Sequence, residues 1–209
     1  MQLTINMALA FHSDKALWIA FKKGSREALD NLFRSYYSPL YHYGLKIYGD
    51  PTLIEDSLQS FFLHLYDNRE HLANLENIKP YLFKAYRRQL LRQIEKLRKQ
   101  NKLRNEEAQW QPSIHFSADE MISKQEVEAF QKEVLLEMLH HLPNRQREVI
   151  YLRYYNNLSI SEIAEVLSIS YQGTANTLHK AIKTLRKDAK LKRIVAFFSL
   201  LFLAFWSFS

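Results

Sequence analysis

Gln172 and Asn176 stand one helical turn apart, and Lys180, Lys183 and Lys187 continue along the same segment. Carboxamides so placed can bond an adenine edge bidentately, while lysines further along a recognition helix meet phosphates. Tyr171 shares this outward face, and Ser170 and Thr177 border it. The chemistry on offer is recognition of duplex DNA, not the making or breaking of bonds. The chain has no phosphate-cradling glycine loop and no nucleophile constellation, so neither enzymatic activity nor a cofactor is expected. His140 and His141 are adjacent and point to different helix faces, with no carboxylate at ligand spacing, so no metal is expected either.

Such a face needs a rigid pair of elements to hold it, and the stretch from Ser159 to Lys187 supplies one. Ile160, Ile163, Val166 and Leu167 fall on one helical face, with Ala164 small enough for a second helix to approach. Ser159 and Glu162 have capping-box spacing. After the turn Leu167-Ser168-Ile169, Ser170 can cap a second helix whose buried stripe is Leu178, Ala181, Ile182 and Leu185. Two short amphipathic helices joined by so tight a turn predict a helix-turn-helix. The competing reading, a solvated polar face on an ordinary helical hairpin, leaves the capping and turn register unexplained. Upstream, Pro143 starts a helix that packs Val149, Leu152 and Tyr155 beneath the pair and places Arg145 and Arg147 to meet phosphates. A helix from Gln125 to His140 adds Val127, Phe130, Val134, Leu135 and Met138 to that core.

The formal net charge of the 209 residues is +7, and it is not spread evenly. Lys84 to Arg104 holds nine basic residues and one acid, and Lys180 to Arg193 holds seven and one, so the remainder is net acidic. Two separated cationic blocks are the footprint of two contacts with one polyanion. Hydrophobic residues make up 47%, with four glycines, five prolines and no strand-like alternation of convincing length, so an all-α protein is expected. The absence of cysteine excludes disulfides and fits a reducing compartment. No charged region precedes the apolar residues at the N-terminus, so no signal peptide is expected and the location is taken as cytoplasmic.

The first half reads as a helical bundle. Leu17, Ala20 and Phe21 form a short apolar face, and Gly24-Ser25 ends one helix and starts the next. Leu29, Leu32, Phe33, Tyr36 and Tyr37 continue as a core stripe until Pro39, which is expected to end or kink the helix. The spacing of Tyr36, Tyr37, Tyr41, Tyr43 and Tyr48 favours packing over base stacking. Asp50-Pro51 caps a helix with Ile54, Leu58, Phe61, Phe62 and Leu65 on its core face. The opposite face holds Asp56, Gln59, Ser60, Leu63 and Asp67, where an exposed leucine among acids and amides suits a protein contact. Pro80 opens a helix from Tyr81 to about Arg104, with Phe83, Tyr86, Leu90, Ile94 and Leu97 as its core stripe. Lys84, Arg87, Arg88, Arg92, Lys96 and Arg98 crowd the rest, with Glu95 the single acid, a self-repelling surface unless phosphates neutralise it. Tyr81 and Tyr86 could stack on unpaired bases, although the stripe position of Tyr86 favours packing.

Two stretches resemble a known family. Leu142 to Val149 (LPNRQREV), Leu158-Ser159, Glu162 to Glu165 and the second helix resemble the C-terminal domain of bacterial RNA polymerase sigma factors, in particular the two-domain extracytoplasmic-function (ECF) group. Asp56 to Leu63 resembles the sigma segment that grips the polymerase clamp helices. Asp56 and Gln59 match that motif, and Ser60 replaces its usual acid. The resemblance implies polymerase binding through Asp56, Gln59, Ser60 and Leu63. It implies contact with the minus-ten element through Tyr81, Lys84, Arg87, Arg88, Arg92 and Lys96, on a helix that captures a flipped base of the melted strand. It implies minus-thirty-five recognition through Arg145, Arg147, Ser170, Tyr171, Gln172, Asn176, Thr177, Lys180 and Lys183. Three positions depart from the family pattern: Arg88 replaces the usual asparagine, Ser168 a usual glycine, and Ala175 a residue that is often basic.

On this reading residues 1–104 form a sigma region 2-like domain, 105–124 a linker, 125–190 a sigma region 4-like helix-turn-helix domain, and 191–209 a hydrophobic tail. Extended, the linker spans about 70 Å. The resemblance threads it through the polymerase channel, and an inert tether is the competing reading. The apolar run of the tail would be about 22 Å long as a helix, short of the roughly 30 Å of a bilayer core. Packing against protein is therefore expected before membrane association, which Lys190, Lys192 and Arg193 would aid. The implied partners are core RNA polymerase and promoter DNA, with an anti-sigma factor left open. The rival is a helix-turn-helix transcriptional regulator that binds operators without polymerase, usually as a dimer on a palindrome. A nucleic-acid enzyme would require carboxylates or histidines clustered in one pocket.

Overall fold

The computed structural model describes residues 13–102, 114 and 136–187, and every regular element among them is helical. Helices α1 (Asp14–Lys22), α2 (Arg26–Tyr48), α3 (Pro51–Asp67) and α4 (Ile78–Lys102) belong to one compact unit. Helices α5 (Asn144–Tyr154) and α7 (Tyr171–Lys187) belong to a second. Helix α6 (Ile160–Leu167) leads into α7 through a tight turn. The apolar tail, most of the helix expected from Gln125, and the expected linker apart from Ile114 lie outside the described residues.

Local sequence sets the helix boundaries of the first unit. Ser13 Oγ accepts from the Ala16 amide, Ser25 Oγ from Ala28 and Asp50 Oδ1 from Leu53, each at 3.2 Å. Each cap satisfies an amide that has no partner inside its helix. Gly24 (φ +84°) and Gly49 (φ +77°) end α1 and α2 in left-handed backbone, where a side chain would be strained. Helix α4 starts at Ile78, two residues before the expected Pro80. Asp14 Oδ2 accepts from the Ile78 amide at 3.1 Å and Asn77 Oδ1 from Lys79 at 3.2 Å. Pro80 thus falls in the first turn, where its missing N–H costs nothing.

Pro39 does not end α2, which runs unbroken for 23 residues. The carbonyl deprived of a donor belongs to Ser35, an exposed residue, so water can serve it. The core stripe of α2 is also displaced from the expected one. Ala28, Leu32, Leu40, Tyr43 and Ile47 are buried, whereas Phe33 is 42% exposed. Phe33 instead begins an outer aromatic row, with ring centroids 4.9 Å from Tyr37 and 5.0 Å from Phe62, and Tyr37 stacks on Tyr41 at 6.0 Å. The tyrosines therefore pack, as their spacing predicts. Against α2 lie Ile54, Leu58, Phe61, Phe62 and Leu65 of α3 and Leu82, Phe83, Tyr86, Leu90 and Ile94 of α4, all buried. Each such side chain stabilises the bundle by about 1.5–3 kcal/mol relative to exposure.

In the second unit α5 buries Val149, Ile150, Tyr151 and Leu152, and α7 packs on it with Leu178 and Ala181 inward. Helix α6 buries Ile163, Ala164, Val166 and Leu167. The turn after α6 places Ser168 at φ +53°, the left-handed conformation that its usual glycine would adopt freely. A non-glycine residue there costs about 1–2 kcal/mol, partly offset by the greater freedom of glycine in the unfolded chain. Ser168→Gly is therefore expected to stabilise the helix-turn-helix by about 0.5–1 kcal/mol, measured as a shift in urea midpoint without a change in slope.

Candidate nucleic-acid interface

Lys84, Arg88, Arg92 and Lys96 recur every fourth residue of α4, and all four are exposed, so they form one cationic row. Arg87, one residue off that register, is half-buried. The row borders a groove between α3 and α4 lined by His64, Asn68, Leu72, Tyr81, Lys84 and Arg88. Gln89 ties the two helices together by donating to the Ser57 carbonyl at 3.2 Å. Tyr81 is half-buried, its ring meeting the Trp18 indole edge-on at 5.5 Å. Burial raises its hydroxyl above the ordinary tyrosine value. Tyr86 is fully buried and offers no face to a base. Sequence reasoning did not single out His64 and Asn68 of the groove wall, although both follow Ser60 at steps of four residues.

On α3 the opposite face carries Asp56, Gln59, Ser60 and Leu63, all exposed, with Leu63 at 59%. A leucine so exposed beside a buried stripe is a candidate protein contact, not a core residue that failed to pack.

The outward side of α7 brings together Tyr171, Gln172, Asn176, Lys180 and Lys183, all exposed. Gln172 Nε2 donates to Asn176 Oδ1 at 3.2 Å, which joins the two amides across one helical turn. Ser170 is spent differently: its Oγ accepts from the Gly173 amide at 3.0 Å and starts the helix. Thr177 is half-buried and donates its hydroxyl to the Gly173 carbonyl at 2.7 Å. Both hydroxyls thus help to position the reading face, Ser170 keeping its own O–H and Thr177 its acceptor lone pairs.

The two arginines of α5 depart from the expected phosphate contacts to different degrees. Arg147 is only 9% exposed, and its guanidinium donates to Asn144 Oδ1 within the first turn. Desolvation lowers its pKa. Arg145 is half-buried, 3.4 Å from Glu148 Oε2. Arg147 is thus largely buried at the helix start, and Arg145 is the more accessible of the two.

Comparison with known proteins bears on both surfaces. The model of sigma-70 region 2 matches residues 32–100, and that of sigma-70 region 4 matches residues 132–185. These two regions together define a promoter-recognition factor of the sigma type. The chain is 26% identical over 160 residues to the ECF RNA polymerase sigma factor SigM of Bacillus subtilis (strain 168), covering 76% of this chain and 93% of SigM. It is 24% identical over 173 residues to the ECF RNA polymerase sigma factor SigW of the same organism, covering 81% and 92%. The structure of CnrH in complex with the cytosolic domain of CnrY shares the fold, with a TM-score of 0.54, 16% identity, and coverage of 83% of this chain and 94% of that one. The chain belongs to the sigma-70 family, in its ECF class, and serves promoter-directed initiation of transcription.

Among the described residues no helix is long and apolar enough to cross a membrane, and no group of three or more acidic or histidine side chains could hold a metal.

Proposed function

We propose that the first unit docks on core polymerase through Asp56, Gln59, Ser60 and Leu63 and holds the opened minus-ten strand along α4. The amides and lysines of α7 read the minus-thirty-five element as duplex. Residues 1–104 and 125–190 are then the two working domains, 105–124 the connection, and 191–209 an apolar tail. RNA synthesis belongs to the polymerase; this chain contributes binding and no covalent step of its own, in the cytoplasm. An anti-sigma factor is the further partner proposed, supported by the solution of CnrH together with the cytosolic domain of CnrY. The observation that carries the reading is the exposed row Lys84, Arg88, Arg92 and Lys96, on a helix whose single acid, Glu95, is already paired with Lys99 at 2.7 Å.

Reconstituted transcription tests it. Core polymerase with this chain is expected to start RNA at discrete sites in a random DNA library, and core polymerase alone is not. Tight operator binding by the isolated chain, with no effect on polymerase, would establish the helix-turn-helix regulator instead.

Two substitutions on α7 separate reading from holding. Asn176→Ala is expected to cost about 1–3 kcal/mol at one base-pair position and little elsewhere, measured by competition among single-base variants of a selected site. Lys183→Ala is expected to weaken all sequences alike and to reduce the salt slope by about one unit. Identical behaviour of the two variants on scrambled duplex would refute the division of roles.

A further inference from the structure

The loop between α3 and α4 has little structure of its own. After a single 3-10 turn at Arg69–His71, residues 72–77 follow no regular element. Leu72 of this loop nevertheless forms part of the groove wall beside Tyr81, Lys84 and Arg88, so the shape of the groove depends on where the loop is held. The support comes from α1, more than fifty residues away in sequence. Trp18 donates its indole N–H to the Ala73 carbonyl at 2.8 Å. Lys22 donates to Asn74 Oδ1 at 2.9 Å, Lys15 reaches Glu76 at 2.5 Å, and Asp14 accepts from Ile78 at the start of α4. These contacts are unequal. Lys15 and Glu76 are both largely exposed, and such pairs are screened and weak. Trp18 is fully buried, packs against Phe21 at 5.3 Å, and meets Tyr81 of the groove with the same ring whose N–H holds the loop.

We infer that Trp18 is a positioning residue for capture of the melted strand, setting the loop and Tyr81 in one register so that the groove accepts an unpaired base. The inference rests on the proposed role of α4. Its new element is α1, which lies outside the region 2 match that begins at residue 32. Removing the indole N–H while keeping an aromatic ring loosens the loop without emptying the core. The groove then keeps its cations and loses its shape. Phosphate attraction should therefore largely survive, and discrimination among bases should not.

The test uses holoenzyme reconstituted with core polymerase and DNA selected from a random library by the wild-type holoenzyme. One probe is a fork with duplex upstream and a single-stranded minus-ten segment; the other is a duplex minus-thirty-five fragment. Trp18→Phe is expected to weaken fork binding about tenfold and to flatten base preference at one single-stranded position, with duplex binding within twofold of wild type. Lys22→Met, which cuts an exposed loop contact and leaves the core intact, is expected to act in the same direction by two- to threefold. It decides the matter alone if Trp18→Phe does not fold. Equal losses on fork and duplex, or an unchanged base preference in both variants, would overturn the inference. Arg88→Ala tells the two levels apart. If it weakens the fork while the α1 variants do nothing, only the inference falls; if it too has no effect, the role of α4 falls with it.

Discussion

Gly44→Ala is expected to destabilise the first unit by about 2–3 kcal/mol. Gly44 lies inside α2 where all three long helices of that unit meet, and it has no room for a methyl group. A Cβ there would sit 2.5 Å from the Tyr86 hydroxyl oxygen and 3.0 and 3.1 Å from two carbons of Ile54. Tyr86 and Ile54 are both fully buried, so neither can swing into solvent. Overpacking of this kind costs about 1–3 kcal/mol or more, because a close-packed interior cannot yield locally. Alanine recovers about 1 kcal/mol of helix propensity, which is smaller than a clash with two buried side chains at these distances. The clash names its own rescue: Tyr86→Phe removes the nearest of the three atoms. In a double-mutant cycle read by urea unfolding, Gly44→Ala in the Tyr86→Phe background should cost at least 1 kcal/mol less than in wild type. A neutral or stabilising Gly44→Ala would mean that the helices separate more easily than their packing implies.

Replacing Lys84, Arg88, Arg92 and Lys96 together by alanine is expected to lower holoenzyme affinity for single-stranded minus-ten DNA by about 10²–10³ at roughly 0.1 M salt. Each phosphate contact on a single strand contributes about 0.7 to the slope of log affinity against log salt, so four contacts lower it by about 3 units. Near 1 M salt the variant and the wild type should converge. All four side chains are exposed, so the fold should survive their loss. A loss that persists unchanged at high salt would show that the row acts through packing or base contacts, not counterion release.

Much of this architecture is legible in the sequence where the determinants are local. The Asp50-Pro51 start of α3, the Gly24-Ser25 junction, the Ser170 cap and the α3 core face all follow from residues within one or two turns of each other. Ser168 is legible only through the resemblance, which marks a usual glycine there; its φ of +53° is the left-handed conformation that such a glycine serves. Pro39 misleads because the rule against proline counts a lost bond but not where the orphaned carbonyl points. Ser35 is exposed, so water can serve its carbonyl, while Leu32, Leu40 and Tyr43 on either side are buried and hold the helix together. The burial of Arg147 is not legible from its charge, which invites a phosphate; a partner three residues earlier, Asn144, draws the side chain back onto the helix start. The α1 contacts to the loop are not legible at all. They join Trp18 to Ala73 and Lys22 to Asn74, and no periodicity reports on pairs so far apart.

The bond from Gln172 to Asn176 has a consequence for how such proteins diverge. A duplicated copy that changes residue 172 alone deprives Asn176 of its donor before any new target has been gained. A copy that changes 176 alone leaves Gln172 without its acceptor. On the role proposed for α7, retuning of promoter choice is therefore expected to favour paired substitutions at 172 and 176 over single ones.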